Sequence, residues 1–327
     1  MARLLFGLAP PEFAYFAERR TELNEVLWPA LLSFGIVSKQ HAEVPKEKLI
    51  ELLDPEERDL LQFDSRGVFT LKGRQLFSRA ICRLVVVSIA PEFETFVERY
   101  WKRIHLDPKL SSYNRSALFN PAQVGNILKL VSTGASKANL LRACFATELA
   151  NATSRFLPTY VTDLVTWQTY FREIRNCIVH NDGLADNRLT NAASTLQSLA
   201  VESSAYWPKH GFDVHYYALG EEIELTPYTT IATVYYLNEF ATMLASHLMA
   251  GRWGDVVFDE RIDAALSRAA NWIDDREISS QKRLNDPAFV ERRLNTEFSR
   301  EGLSPARLKS CGVFAALFPA LRARTKY

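Results

Sequence analysis

The chain has 327 residues, 47% hydrophobic and 12% aromatic, enough apolar material for a real core in more than one structural unit. Its 39 basic and 38 acidic side chains leave a net charge of +1, which excludes a global field drawing the molecule to nucleic acid or a membrane; a polyanion site has to be local. Cys82, Cys144, Cys177 and Cys311 stand far apart with no C-x-x-C pair, the usage of reduced thiols in a cytoplasmic protein rather than of a disulfide framework or zinc cage.

The opening "MARLLFGLAPPEFAYFAERR" reads as mature protein, because its short apolar run meets prolines, acids and aromatics instead of a small-residue cleavage site. The greasiest run, "AICRLVVVSIAPEF", is too short to span a bilayer and is interrupted by Arg83 and Pro91. Residues 1–75 form an N-terminal region in which "LLQFDSRGVFTLKGRQLF" is expected to turn a small hairpin at Asp64 to Gly67. The piece "FTLKGR" resembles the wing strand of winged-helix domains, which would make this region a DNA reader; the resemblance covers few residues, and a helical subdomain is the preferred reading.

From Pro91 the spacing of Phe93, Phe96, Val97, Tyr100, Trp101 and Ile104 predicts a helix with the proline in its first turn. A second helix is expected from Asn120-Pro121 to near Gly134, burying Val124, Ile127, Leu128 and Val131. A third begins near Ser136 and runs through Leu140, Leu141, Cys144, Phe145 and Leu149 until Pro158 breaks it. The fourth carries "FREIRNCIVHNDG", and a fifth spans about 189–203. After it, "FDVHYYALGEEIELTPY" alternates and turns at Gly220 like a β-hairpin. Thr226-Pro227 then caps a helix ending near Gly251. From about residue 255 the chain is polar and helical, with Arg292-Arg293 and the tail "LRARTKY" read as a solvated accessory face. The expected fold is mainly α: a helical bundle over 76–251 with a small β-hairpin insertion, flanked by the 1–75 region and a C-terminal helical region over 252–327.

In the fourth helix, Leu164, Trp167, Phe171, Ile174 and Ile178 fall within roughly 60° of one another on the helical wheel, a core-facing stripe. Arg172, Asn176 and His180 follow at i+4 spacing on the opposite side, with Arg175 on its flank. Gly183 offers the left-handed position that ends many helices. An arginine fork grips phosphate oxygens bidentately, and a histidine passes protons in either direction. Those are the two properties phosphodiester chemistry needs. With Arg175 on the phosphate and His180 on the proton, the 2′-hydroxyl of RNA could attack its neighbouring phosphorus without a metal, leaving a 2′,3′-cyclic phosphate and a 5′-hydroxyl. One histidine cannot be base and acid in the same concerted step; two copies of the helix meeting across a twofold axis supply both.

The string "RNCIVH", and more loosely "IRNCIVHNDG", resembles the R-x4-6-H signature of the HEPN superfamily, and its place late in a helix within 76–251 fits that family as well. The resemblance implies an all-helical bundle that dimerises through the motif, and in many members a metal-independent endoribonuclease, used as a toxin, a phage-defence effector or an RNA-processing enzyme. Carried over, Arg175 and His180 are the catalytic pair and Asn176 their polar helper. The signature does not require Arg172, which is added here as a substrate-binding phosphate contact. RNA, a second copy of the chain and an antitoxin or regulatory protein are the implied partners, and no metal or other cofactor is called for. Some HEPN domains are instead non-catalytic modules that bind RNA or nucleotides or only dimerise. A purely structural reading pairs Arg175 with Glu173 or Asp182 and leaves His180 capping carbonyls.

Other candidates carry less. His210 and His215 flank Asp213 in "HGFDVH", on faces the alternation leaves open, and read as a surface hairpin rather than a metal site. His247 is read as a helix-end cap, Cys177 as a small packing residue, and "GASK" at Gly134 as a helix-end loop without the spacing of a phosphate-binding loop.

Overall fold

The computed structural model describes residues 9–40, 71–156, 158–202, 215–274, 286–301 and 303–325. They form twelve α-helices: α1 (Pro11–Gln40), α2 (Leu71–Ile104), α3 (Pro121–Val131), α4 (Leu140–Cys144), α5 (Ala146–Ser154), α6 (Pro158–His180), α7 (Asn187–Glu202), α8 (Pro227–Ala250), α9 (Arg252–Asp274), α10 (Pro287–Arg300), α11 (Pro305–Ser310) and α12 (Val313–Arg324). The protein is mainly α. None of these helices is long and apolar enough to cross a membrane.

Local chemistry explains most of the ends. Asn120 accepts from the Ala122 amide at 2.9 Å, and Pro121 supplies the fixed φ of a first turn, so α3 starts where the sequence places it and buries Val124, Ile127, Leu128 and Val131. Thr226 Oγ1 accepts from the Thr229 amide at 3.1 Å ahead of Pro227, and α8 runs to Ala250. Pro158, expected to break a helix, does so by opening the next one.

Three expectations are corrected. The helix expected to begin at Pro91 is the second half of α2, which runs through the proline; Val86 and Ile89 before it and Phe93 and Phe96 after it lie on one buried stripe, and their burial outweighs the backbone hydrogen bond that the proline cannot donate. The helix expected over 136–157 is two, because Phe145 leaves helical geometry (φ −120°, ψ 18°), a step that lets the consecutive residues Cys144 and Phe145 both face inward.

The β-hairpin insertion is also absent: no strand occurs among the described residues. The alternation is nevertheless real, since Tyr217, Ile223 and Leu225 are buried. Gly220 turns the chain (φ 79°), and the Glu221 amide donates to Ala218 O at 3.0 Å and Tyr217 Oη to Glu224 O at 3.2 Å, but the bridge partner of the segment after the turn is the stretch that follows α6. The Gly220 amide donates to Ala185 O, that of Ala185 to Glu221 O and that of Ile223 to Gly183 O, each at 2.8 Å. In the N-terminal region, Leu71–Arg74 of "FTLKGR" are the first turn of α2 rather than a strand, and the turn expected at Asp64 to Gly67 lies outside the described residues.

The chain divides into two units. One comprises Met1–Ala14, Glu98–Thr162 and Ala241–Tyr327. Its central tie is Arg142, whose guanidinium donates to Asp255 Oδ1 (2.6 Å) and to the carbonyls of Met249 (3.0 Å), Ala250 (2.9 Å) and Gly251 (2.6 Å), closing the end of α8. Glu297, fully buried, holds Arg268, Arg293 and Arg300. The other unit comprises Tyr15–Val97 and Asp163–Phe240. Phe16, Phe93, Phe96 and Phe240 form one aromatic cluster there, with centroids 5.6–6.2 Å apart. Trp167 of α6 stacks on Tyr236 at 4.6 Å and on Phe171 at 5.2 Å. This apolar packing fixes the roll of α6, and so the direction in which its polar residues face.

Candidate active site

The core stripe of α6 is as expected for Leu164, Trp167, Phe171 and Ile174, all buried, while Ile178 near the helix end is half-buried. The helix stops at His180: the amides of Asn181 and Gly183 both donate to Cys177 O at 3.0 Å, with Asp182 (φ 52°) and Gly183 (φ 77°) in left-handed geometry. Gly183 also makes room for Arg83, whose Nη2 would lie 3.2 Å from a Cβ there and reaches Glu222 Oε1 and Ile223 O at 3.0 Å each.

The polar residues join into one hydrogen-bonded string organised by Glu173, a buried carboxylate. Arg172 donates to its Oε1 through Nε (3.1 Å) and Nη2 (2.9 Å), and Asn176 Nδ2 donates to its Oε2 at 3.3 Å. Asn176 Oδ1 in turn accepts from Arg175 Nη1 at 3.2 Å. The same Nη1 lies 3.5 Å from Nε2 of the exposed His180. A guanidinium only donates, so this contact presents Nε2 as the lone-pair nitrogen. Glu173 thus takes Arg172, not Arg175, into its ion pair, and Arg175 reaches His180 instead of an acid.

The root of Arg175 is buried while its head reaches the helix end. Its Nε and the Oε1 of the buried Gln168 have no hydrogen-bond partner among the described residues. Both side chains line a cavity of about 20 Å³ with Val86, Phe93, Phe171 and Thr233, room for about one water between polar atoms. The burial of Gln168 and Glu173 on a nominally polar face has no signature in the sequence beyond their places one turn from Arg172 and Asn176.

The remaining candidates resolve individually. Cys177 is buried, and burial raises its thiol pKa, as suits a packing residue rather than a nucleophile. His215, exposed, contacts Glu221 Oε1 at 2.9 Å; His210 and Asp213 lie outside the described residues. No group of three metal-ligating side chains occurs among the described residues. His247 does more than cap a helix end: it is largely buried, its Nδ1 2.7 Å from Ser132 Oγ, and burial pushes its pKa down to about 4. In "GASK" the Ser136 amide is bonded to the Asp255 carboxylate, so an acid of the chain itself occupies the donor that a phosphate-binding loop would offer its ligand. Set against known proteins, the chain matches no family model, no curated protein and no solved structure.

Proposed function

We propose that the protein is an endoribonuclease of the HEPN type, active as a cytoplasmic homodimer through Arg175, Asn176 and His180. The observation that carries the reading is the string itself: an arginine fork and an exposed imidazole 3.5 Å apart at a helix end, with Asn176 holding the fork. Arg175 grips the scissile phosphate and His180 Nε2 removes the proton from the ribose 2′-hydroxyl. As the P–O2′ bond forms and the P–O5′ bond breaks, His180 of the partner subunit gives a proton to O5′. The products are a 2′,3′-cyclic phosphate and a 5′-hydroxyl, with no metal in the cycle. Arg172, 37% exposed above Glu173, steadies a neighbouring phosphate. A role as toxin or phage-defence effector, restrained by an antitoxin or regulatory partner, follows from the resemblance alone.

Incubation of purified protein with RNA in EDTA tests the chemistry. Wild type is expected to generate cyclic-phosphate ends, and Arg175→Ala and His180→Ala to lower the rate by about a hundredfold or more while melting as wild type does. Cleavage abolished by the chelator would overturn the metal-free mechanism. A second reading, a non-catalytic module that binds RNA or nucleotides, is favoured by Glu173, whose carboxylate neutralises one of the two arginines. It predicts binding with no cleavage to lose.

A further inference from the structure

Beside the catalytic string, α6 and α7 enclose an open groove of about 490 Å³ lined by Thr169, Arg172, Glu173, Arg188, Asn191 and Thr195. The charges on its walls are two arginines and one carboxylate, and that carboxylate already receives Arg172 and Asn176. The groove therefore carries a local positive excess in a chain of net charge +1. Arg188 and Asn191 are exposed, and neither side chain has a hydrogen-bond or ion-pair partner among the described residues. Both offer donors to an anion.

The two threonines differ in kind. Thr169 Oγ1 donates to Val165 O at 3.0 Å, and Thr195 Oγ1 to Asn191 O at 2.9 Å. With their protons committed to the helix backbone, both hydroxyls meet the groove as acceptors. A phosphate has no hydrogen to give them. A ribose 2′-hydroxyl does, and deoxyribose lacks it.

We propose that this groove is an RNA-binding subsite for the strand flanking the scissile bond: a phosphate rests on Arg188 and Asn191, and the adjoining 2′-hydroxyl donates to Thr169 or Thr195. It rests on the ribonuclease reading for the direction of the strand, because Glu173 and Asn176 join the groove to Arg175. It adds an arginine outside the R-x4-6-H string and a means of choosing RNA over DNA.

The test measures binding of a labelled single-stranded oligoribonucleotide, and of the DNA oligonucleotide of the same sequence, to full-length His180→Ala protein across a salt series. Adding Arg188→Ala is expected to weaken RNA binding about tenfold and to reduce the slope of log K against log salt by about 0.7, the signature of one lost phosphate contact. Adding Thr169→Val and Thr195→Val together is expected to erase the preference for RNA over DNA while leaving the salt slope as it was. Unchanged affinity and slope with Arg188→Ala, or an RNA preference that survives the double valine substitution, overturns the subsite. The cleavage assay in EDTA is independent. A protein that cleaves RNA and ignores both sets of substitutions keeps the nuclease reading and loses the groove. One that never cleaves but responds to them keeps the groove and loses the nuclease.

Discussion

His247 shows how far burial moves one side chain. Ser132 Oγ donates to Leu128 O at 2.8 Å, so it accepts from His247 Nδ1–H, and the buried Nε2 has no acceptor for a second proton among the described residues. The folded pKa of about 4 lies below the ordinary histidine value of 6.5, so between those values the unfolded chain binds the extra proton. Stability is full above about pH 6.5 and falls as the pH drops toward 4, by a limit of about 3 kcal/mol. Urea titrations from pH 4 to 7 on wild type and His247→Gln are expected to differ in slope over this window, the substituted protein being the flatter. At this scale the sequence was informative about type and spacing: Arg172, Arg175, Asn176 and His180 do form one connected group. It could not show that Glu173 is buried beneath them, since helical spacing tells which residues share a face but not what packs over it.

Among elements, the sharpest constraint is the close passage between the end of α3 and the bend joining α8 to α9. A Cβ on Gly251 would sit 1.8 Å from Val131 O and 3.0 Å from Ser132 Cα, both backbone, so nothing flexible can give way. Gly251→Ala is expected to cost at least about 3 kcal/mol, read as a melting point lowered by on the order of 10 °C. Helix positions were legible wherever a cap and an apolar stripe coincided, as at Asn120 and Thr226. They were misread where packing overrode a local signal. Pro91 is a sound first-turn residue, yet the stripe on both sides carries the helix through it. The alternation around Gly220 marks buried positions correctly, but a period of two does not name its partner, which is the stretch after the motif helix.

For the whole molecule, the proposed pairing of His180 from two chains predicts a kinetic signature. If wild type is mixed and re-equilibrated with His180→Ala at constant total protein, cleavage is expected to fall with the square of the wild-type fraction, because only wild-type pairs hold both base and acid. A linear fall would mean that each chain is complete in itself. The near-neutral total charge requires any polyanion site to be local, and the groove proposed beside α6 meets that condition.

The discontinuous unit built from Met1–Ala14, Glu98–Thr162 and Ala241–Tyr327 also has a consequence for biosynthesis. Arg142 is translated 107 residues before Met249 and 113 before Asp255. Throughout that interval on the ribosome its guanidinium lacks the carbonyls and carboxylate that later enclose it, and α3 has no α8 to meet. Closure of this unit is a late event in the nascent chain's life, and until then the waiting helices are open to chaperones and proteases.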